Sequence, residues 1–205
     1  MISQIVRYEV AECGIIRHNT ASEFKIILGQ LDHLAAPYGS AVSLRRPIAA
    51  DGPAVTALIA ECPPLDTNSA YCNLLQCTDF AETCVIAERE GEVVGWISGY
   101  LPPSNPSRIF VWQVAVSAAA RGIGLGGQML DALLDRQAVA GARALTTTIT
   151  EANTASWRLF ESLARRRGAS FVRAVRFDRA THFAGRHDTE FAVTIGLPRP
   201  VTDQA

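Results

Sequence analysis

The sequence predicts an α/β fold, a mixed central β-sheet flanked by helices. Three observations carry the prediction. Segments of period 2 and of period 3.6 follow one another as β-α-α-β-β-β-α-β-α-β-β, an order that a sheet covered by helices accommodates. One unit, residues 109–138, joins a strand to a glycine-rich loop and an amphipathic helix. The 205 residues are 48% hydrophobic, enough for a sizeable core. Residues 43–198 read as this domain, 1–42 as a poorly ordered N-terminal appendage, and 199–205 as a frayed tail.

In the appendage, residues 5–10 could form a strand and Ser22 to Leu34 a short helix before Pro37 and Gly39 break the chain. A capping element is the alternative reading. The regular pattern begins with a strand over Val42–Ile48 and a helix over Asp51–Glu61, with Asp51 as its N-cap. Cys62-Pro63-Pro64-Leu65 ends that helix, and a second spans Ser69–Cys77. Thr83–Arg89 and Val93–Leu101 are strands joined at Glu90-Gly91-Glu92, a hairpin signal. Pro102, Pro103 and Pro106 confine the next stretch to a loop. Ile109–Val116 is the fourth strand, and the helix after the glycines covers Gln128–Ala138. Ala144–Ile149 is a strand, and Thr154–Arg165 is a helix behind Asn153, whose side chain suits the cap position. Ser170–Phe177 and Glu190–Leu197 close the chain as strands with a long loop between them.

The chemistry starts at the glycine loop, where Gly122, Gly124, Gly126 and Gly127 fill four of six positions. Unpaired N–H groups of the loop and of the first helical turn converge there, and the helix dipole adds positive potential. Lack of Cβ atoms lets backbone approach a bulky phosphate. No Lys-Ser/Thr follows the glycines, so this is not a nucleotide P-loop. The late strand and the missing acidic residue about 20 positions on exclude a good dinucleotide fingerprint.

Bulk properties narrow the field. Lys and Arg number 19 against 20 acidic residues, so no general field favours nucleic acid or an anionic membrane. No apolar run approaches the ~18 residues that span a bilayer, and the first residues lack a basic segment followed by an apolar one. Five cysteines without C-x-x-C or paired-histidine spacing read as reduced thiols of a cytoplasmic protein, with no metal site.

Arg121-Gly122-Ile123-Gly124-Leu125-Gly126 resembles the Arg-x-x-Gly-x-Gly pyrophosphate loop of the GCN5-related N-acetyltransferases (GNAT, the acyl-CoA N-acyltransferase fold), and the element order matches theirs. Asn153-Thr154-Ala155-Ser156-Trp157-Arg158-Leu159-Phe160 is similar to their Asn-x-x-Ala-x-x-Leu-Tyr segment. There the Asn lies beside the pantetheine arm and the Tyr commonly protonates the departing thiolate. Phe160 stands at that Tyr position, so the commonest general acid is absent. Pro64-Leu65-Asp66-Thr67-Asn68-Ser69-Ala70-Tyr71, Phe110-Val111-Trp112-Gln113, the 147–156 segment and, more loosely, 183–190 resemble the L-2,4-diaminobutyrate acetyltransferases of ectoine synthesis over residues 43–198.

The resemblance implies transfer of the acetyl group of acetyl-CoA, as co-substrate, to the γ-amine of L-2,4-diaminobutyrate. The product is N4-acetyl-L-2,4-diaminobutyrate, a step toward a compatible solute of osmotic stress. The cofactor-binding candidates are Val114, Val116, Arg121, Gly122, Gly124, Gly126, Gly127 and Asn153, with backbone N–H near Val114 facing the developing oxyanion. Ammonium groups call for carboxylates and an aromatic face, which Asp66 and Trp112 supply, with Asn68 or Tyr71 donating to the carboxylate. Strand alternation places Phe110, Trp112 and Val114 on one face. The plainer reading has Asp66 and Asn68 capping a helix and Tyr71 and Trp112 in the core.

An attacking amine must be neutral, which calls for a base. Glu190 and Tyr71 are the catalytic candidates and His187 a substrate-binding one; surface placement is the alternative for His187, and an ordinary edge-strand role for Glu190. Arg165, Arg166 and Arg167 suit the CoA 3′-phosphate, but cations are favourable at any helix end. The resembling enzymes commonly pair, which allows a homodimer. The competing functions are acetylation of another small diamine or of a protein amine, and non-catalytic acyl-CoA binding.

Overall fold

The computed structural model describes residues 41–198. The expected appendage, apart from residues 41 and 42, and the expected tail lie outside the described residues. The seven strands are β1 (Ser43–Arg45), β2 (Val85–Arg89), β3 (Glu92–Tyr100), β4 (Arg108–Val116), β5 (Ala144–Thr150), β6 (Phe171–Phe177) and β7 (Glu190–Gly196). They form one mixed sheet in the order β1-β2-β3-β4-β5-β7-β6. The helices are α1 (Gly52–Ala60), α2 (Ala70–Thr78), α3 (Leu125–Leu134), α4 (Thr154–Arg166) and α5 (Arg179–Phe183).

Two apolar clusters divide the helices between the faces of the sheet. Met129, Leu130 and Leu133 of α3 and Phe160 and Leu163 of α4 pack with Val85, Ile109, Val111, Leu145 and Val193. Val55, Leu58 and Ile59 of α1 and Cys77 of α2 pack with Ile86, Trp96 and Ala115 on the other side. Such burial supplies the main driving force of the fold. The hairpin between β2 and β3 turns on Glu90 (φ 56°) and Gly91 (φ 82°), both left-handed, as a tight two-residue connection requires.

Several expected bounds shift, each for a local reason. The first strand shrinks to Ser43–Arg45, since Pro47 has no N–H to continue the ladder. Asp51 holds the N-cap position of α1 as expected, but its side chain makes no capping bond: the carboxylate holds Arg45 and accepts the Ile48 N–H at 2.7 Å. Ser69, rather than Asp66 or Asn68, caps α2, accepting the Cys72 N–H at 3.1 Å. α3 starts at Leu125 instead of Gln128, since Gly124, at φ 77°, already serves as its N-cap. The 178–188 loop contains the short α5, whose first N–H groups Asp178 accepts.

Two features of β4 create the site. It is parallel to β5 only over Arg108–Phe110, paired with Ala144–Thr146. Beyond that pair the strands diverge, and among the described residues the β5-facing edge of β4 from Val111 to Val116 has no strand partner. Against β3, the register shifts between Ser98 and Gly99: Gly99 faces Val111 and Ser98 faces Gln113, so Trp112 is an extra residue. Such a β-bulge reverses the alternation of side chains. Ile109, Val111, Val114 and Val116 therefore share the α3–α4 side, while Ala115 packs on the α1–α2 side. The expectation that Phe110, Trp112 and Val114 share a face is thereby corrected. Phe110 and Trp112 both meet the Tyr100 ring, at 5.3 and 6.3 Å, and Val114 lies opposite.

Candidate active site

Where β4 and β5 part, a cleft of about 360 Å³ opens, and all eight cofactor-binding candidates line it. Val114 and Val116 come from the free edge of β4, Arg121 and the glycines from the loop into α3, and Asn153 from the start of α4. Cys62, Pro63, Pro64 and Leu65 form a further wall.

The loop is made for close approach. Gly122 (φ 81°) and Gly124 (φ 77°) are left-handed, with open space where a Cβ would stand. Gly126 has a different task, since a Cβ there would meet Leu159 Cδ1 at 3.3 Å, so it sets the packing of α3 on α4. The first N–H groups of α3 have no intrahelical partner and face the cleft end of the helix. These features fit a pyrophosphate and a pantetheine arm.

The side chains around the cleft are partly committed. Arg121 donates Nε–H to the Val116 carbonyl at 3.0 Å, so its charge is anchored at the end of β4. Asn153 accepts the Ser156 N–H at 3.1 Å and caps α4. Arg166 and Arg167 pair with Asp131 of α3 at 3.1 and 2.8 Å, which places them in a helix–helix ion-pair cluster. Phe160 is 2% exposed within the core, so the usual place of a proton-donating phenol is sealed from the cleft.

Four of the acceptor-side candidates lie on the loop between α1 and α2 (Asp66, Asn68), at the start of α2 (Tyr71) and at the bulge of β4 (Trp112). Trp112 is 45% exposed and edges onto Tyr100, which also touches Phe80, so it walls a surface rather than filling the core. Tyr71, on the first turn of α2, is 69% exposed. The Asp66 carboxylate is exposed and accepts the Asn68 N–H at 3.4 Å. Burial, and then the charge of Asp66, raise the Cys72 thiol above its ordinary value.

Asn68 behaves differently from the expectation. Its amide donates inward, to Gln113 Oε1 at 2.8 Å and to Asn73 Oδ1 at 3.3 Å. Sequence reading missed Gln113 and Asn73, both buried polar residues beneath that loop. The available signal was a glutamine inside an otherwise apolar strand.

Glu190 opens β7, paired with Thr150, the last residue of β5, and with Phe177 of β6, and it is not among the residues that line the cleft. His187 is exposed, its ring 4.6 Å from that of Phe183 and its Nδ1 2.8 Å from the Asp188 carbonyl oxygen. Among the described residues no cluster of three His, Cys, Asp or Glu could hold a metal ion. No helix there is long and apolar enough to cross a membrane. Burial pushes the Cys84 thiol up to about 12, so it is held neutral in the core.

The acetyltransferase (GNAT) family profile matches residues 53–164. An L-2,4-diaminobutyric acid acetyltransferase of Vibrio parahaemolyticus is 46% identical over 153 residues, covering 75% of this chain and 84% of that protein. One of Methylotuvimicrobium alcaliphilum is 48% identical over 155 residues, covering 76% and 90%. Among solved structures, the Paenibacillus lautus diaminobutyrate acetyltransferase, in complex with L-2,4-diaminobutyric acid and coenzyme A, superposes with a TM-score of 0.74. It is 40% identical and covers 77% of this chain and 96% of that one.

Proposed function

The chain belongs to the acetyltransferase (GNAT) family and, within it, to the L-2,4-diaminobutyric acid acetyltransferases, and we propose that it carries the acetyl group of acetyl-CoA to the γ-amine of L-2,4-diaminobutyrate. The observation that carries this reading is the pairing of two sites along one strand. A backbone-lined cleft for the coenzyme meets an acidic and aromatic surface suited to a small diammonium amino acid.

In this reading the glycine loop and the α3 N-terminus hold the pyrophosphate, and the free N–H groups of β4 near Val114 face the thioester oxygen. Asp66 and Trp112 hold the ammonium end of the acceptor, with Tyr71 and His187 at its margin. Glu190, at the start of β7, takes the proton that the γ-ammonium must lose before its nitrogen attacks. The new C–N bond then replaces the C–S bond, and free coenzyme A thiol leaves. With Phe160 buried, proton delivery to the departing sulfur does not come from that position. The exposed edge strand β6, with Val172, Val175 and Phe177 outward, supports a homodimer, which a solution mass measurement tests.

Following thiol release from acetyl-CoA with diaminobutyrate as acceptor tests the activity directly. Asp66→Ala and Trp112→Ala are each expected to raise the KM for diaminobutyrate about ten- to a hundred-fold, the scale of a lost charge-assisted contact, with acetyl-CoA binding unchanged. Glu190→Gln is expected to lower kcat most at acid pH, where little of the amine is spontaneously neutral. Wild-type kinetics in all three variants would move the acceptor site elsewhere.

A further inference from the structure

The loop that carries Asp66 is attached to the sheet through one side chain. Gln113 follows the bulge residue Trp112 and is 5% exposed. Both ends of its carboxamide are engaged: Nε2 donates to the Asp66 carbonyl at 2.5 Å, and Oε1 accepts Asn68 Nδ2 at 2.8 Å. Among the described residues these are the only hydrogen bonds between the 64–69 loop and the sheet. The loop's other bonds run within itself, to the turn that precedes it and to α2. Leu65 N–H goes to the Cys62 carbonyl, the Thr67 carbonyl accepts from Asn73 of α2, and Ser69 caps α2. Asn73 is itself fixed by donating to Thr56 Oγ1 of α1 at 3.0 Å.

The chemistry of the clamp is selective. Its two partners are a carbonyl that needs a donor and an amide that needs an acceptor, 113's carboxamide being the side chain that offers both at that length. A glutamate there would set oxygen against the Asp66 carbonyl, and an aliphatic residue would leave that carbonyl without its donor and the Asn68 amide with Asn73 alone. Asn68 adopts φ 53°, a left-handed conformation that a short amide side chain tolerates when it bonds locally. The bulge makes the arrangement available, since without the extra residue Gln113 would point to the α3–α4 side.

We propose that Gln113 is the positioning residue of the acceptor site: by clamping the Asp66 carbonyl and the Asn68 amide to β4, it holds the Asp66 carboxylate ready for an ammonium group of diaminobutyrate. Gln113 does not touch the substrate and acts through Asp66. This rests on the reading of Asp66 given above. Fixing a recognition group before the ligand arrives lowers the ordering cost of binding, which surfaces in KM for that ligand alone.

The test is a double-mutant comparison of KM for diaminobutyrate, KM for acetyl-CoA and kcat in Asp66→Ala, Gln113→Ala and the double variant. Gln113→Ala is expected to raise KM for diaminobutyrate about ten-fold, the effect of two lost hydrogen bonds, and to leave KM for acetyl-CoA unchanged. In the Asp66→Ala background the same change adds almost nothing, because the group being positioned is gone. Asn68→Gly keeps the left-handed backbone while removing one arm of the clamp, and is expected to give a smaller, few-fold rise; it serves if Gln113→Ala does not fold. A raised KM in Asp66→Ala beside a wild-type KM in folded Gln113→Ala overturns the inference and leaves the reading of Asp66 standing. Fully additive effects, the signature of a merely structural residue, overturn it too. A wild-type KM in Asp66→Ala removes the reading of Asp66 and the inference together.

Discussion

The two ends of the site, met along a single strand, are built on opposite principles. Past Val114, the proposed coenzyme end is lined by the backbone edge of β4, left-handed glycines and a helix start, and its few polar side chains are tied back to the protein. Around Trp112 and Gln113, the proposed acceptor end is made of side chains, and its shape depends on one extra residue that turns the strand over. A backbone-built site recognises what all substrates of a fold share, a pyrophosphate and an amide-bearing arm. A side-chain-built site recognises what one enzyme selects. The difference teaches that perturbations should separate cleanly: backbone strain at one end should spare the amino acid, and side-chain loss at the other should spare the coenzyme.

The largest expected effect comes from straining the backbone-built end. Gly124 has φ 77° and open space around its missing Cβ. A valine there must hold a conformation costing a β-branched residue about 1–3 kcal/mol, and its methyls would stand where a phosphate approaches. Gly124→Val should therefore weaken coenzyme A binding by about a hundred-fold, measured by calorimetry, with the domain still folded. Arg121→Ala should cost only about ten-fold or less, since one charge supplements several N–H donors. A folded Gly124→Val protein with wild-type coenzyme affinity would break the comparison at its stronger side.

How much of this was legible in the sequence follows the same division. The glycine loop, the Asn153 cap and every strand could be read, because glycine spacing and apolar period act locally. The start of α3 was read three residues late, since Leu125-Gly126-Gly127 looks like loop although Gly124 already caps the helix. The face of Val114 was misread because a bulge is a property of two strands: Gly99 and Trp112 explain each other only once β3 and β4 are paired. The inward turn of Asn68 was hidden for that reason, as its partner is 45 residues away. The five-residue α5 carries too few turns for a period to show.

A smaller effect is expected from the bulge itself. A Cβ on Gly99 would lie 2.8 Å from the Phe110 carbonyl oxygen and 3.1 Å from that of Thr83, both backbone atoms that cannot simply swing aside. Gly99→Ala should destabilise the protein by about 1–3 kcal/mol, read from urea unfolding, as the strands part to admit the methyl. Because the disturbed pairs hold Trp112 and Gln113, KM for diaminobutyrate should rise while coenzyme A affinity stays near wild type. Equal losses at both ends would show that the bulge supports the whole sheet rather than the acceptor side, and would blunt the comparison.

The smallest effect concerns the helix layer that carries the acceptor loop. The Arg45 guanidinium bonds both oxygens of Asp51, at 2.7 and 2.8 Å, and ties β1 to the start of α1. Those side-chain hydrogen bonds, the main cause, hold the Asp51 carboxyl below the ordinary value of 3.8 against the opposing effect of burial. A carboxyl whose folded value is lowered contributes stability that is complete above its unfolded value and is lost as the pH falls through the folded one. Asp51→Asn should thus be less stable than wild type at neutral pH, and the gap between their unfolding midpoints should close on acidification below 3.8. The gap should be modest, because Arg45 keeps Glu88 as a second partner at 2.8 Å. Among the described residues no hydrogen bond or ion pair joins the Gly124 loop to this pair, so coenzyme A affinity at neutral pH should not move. A gap that stays constant with pH would mean that the loss comes from packing around residue 51 and not from its charge.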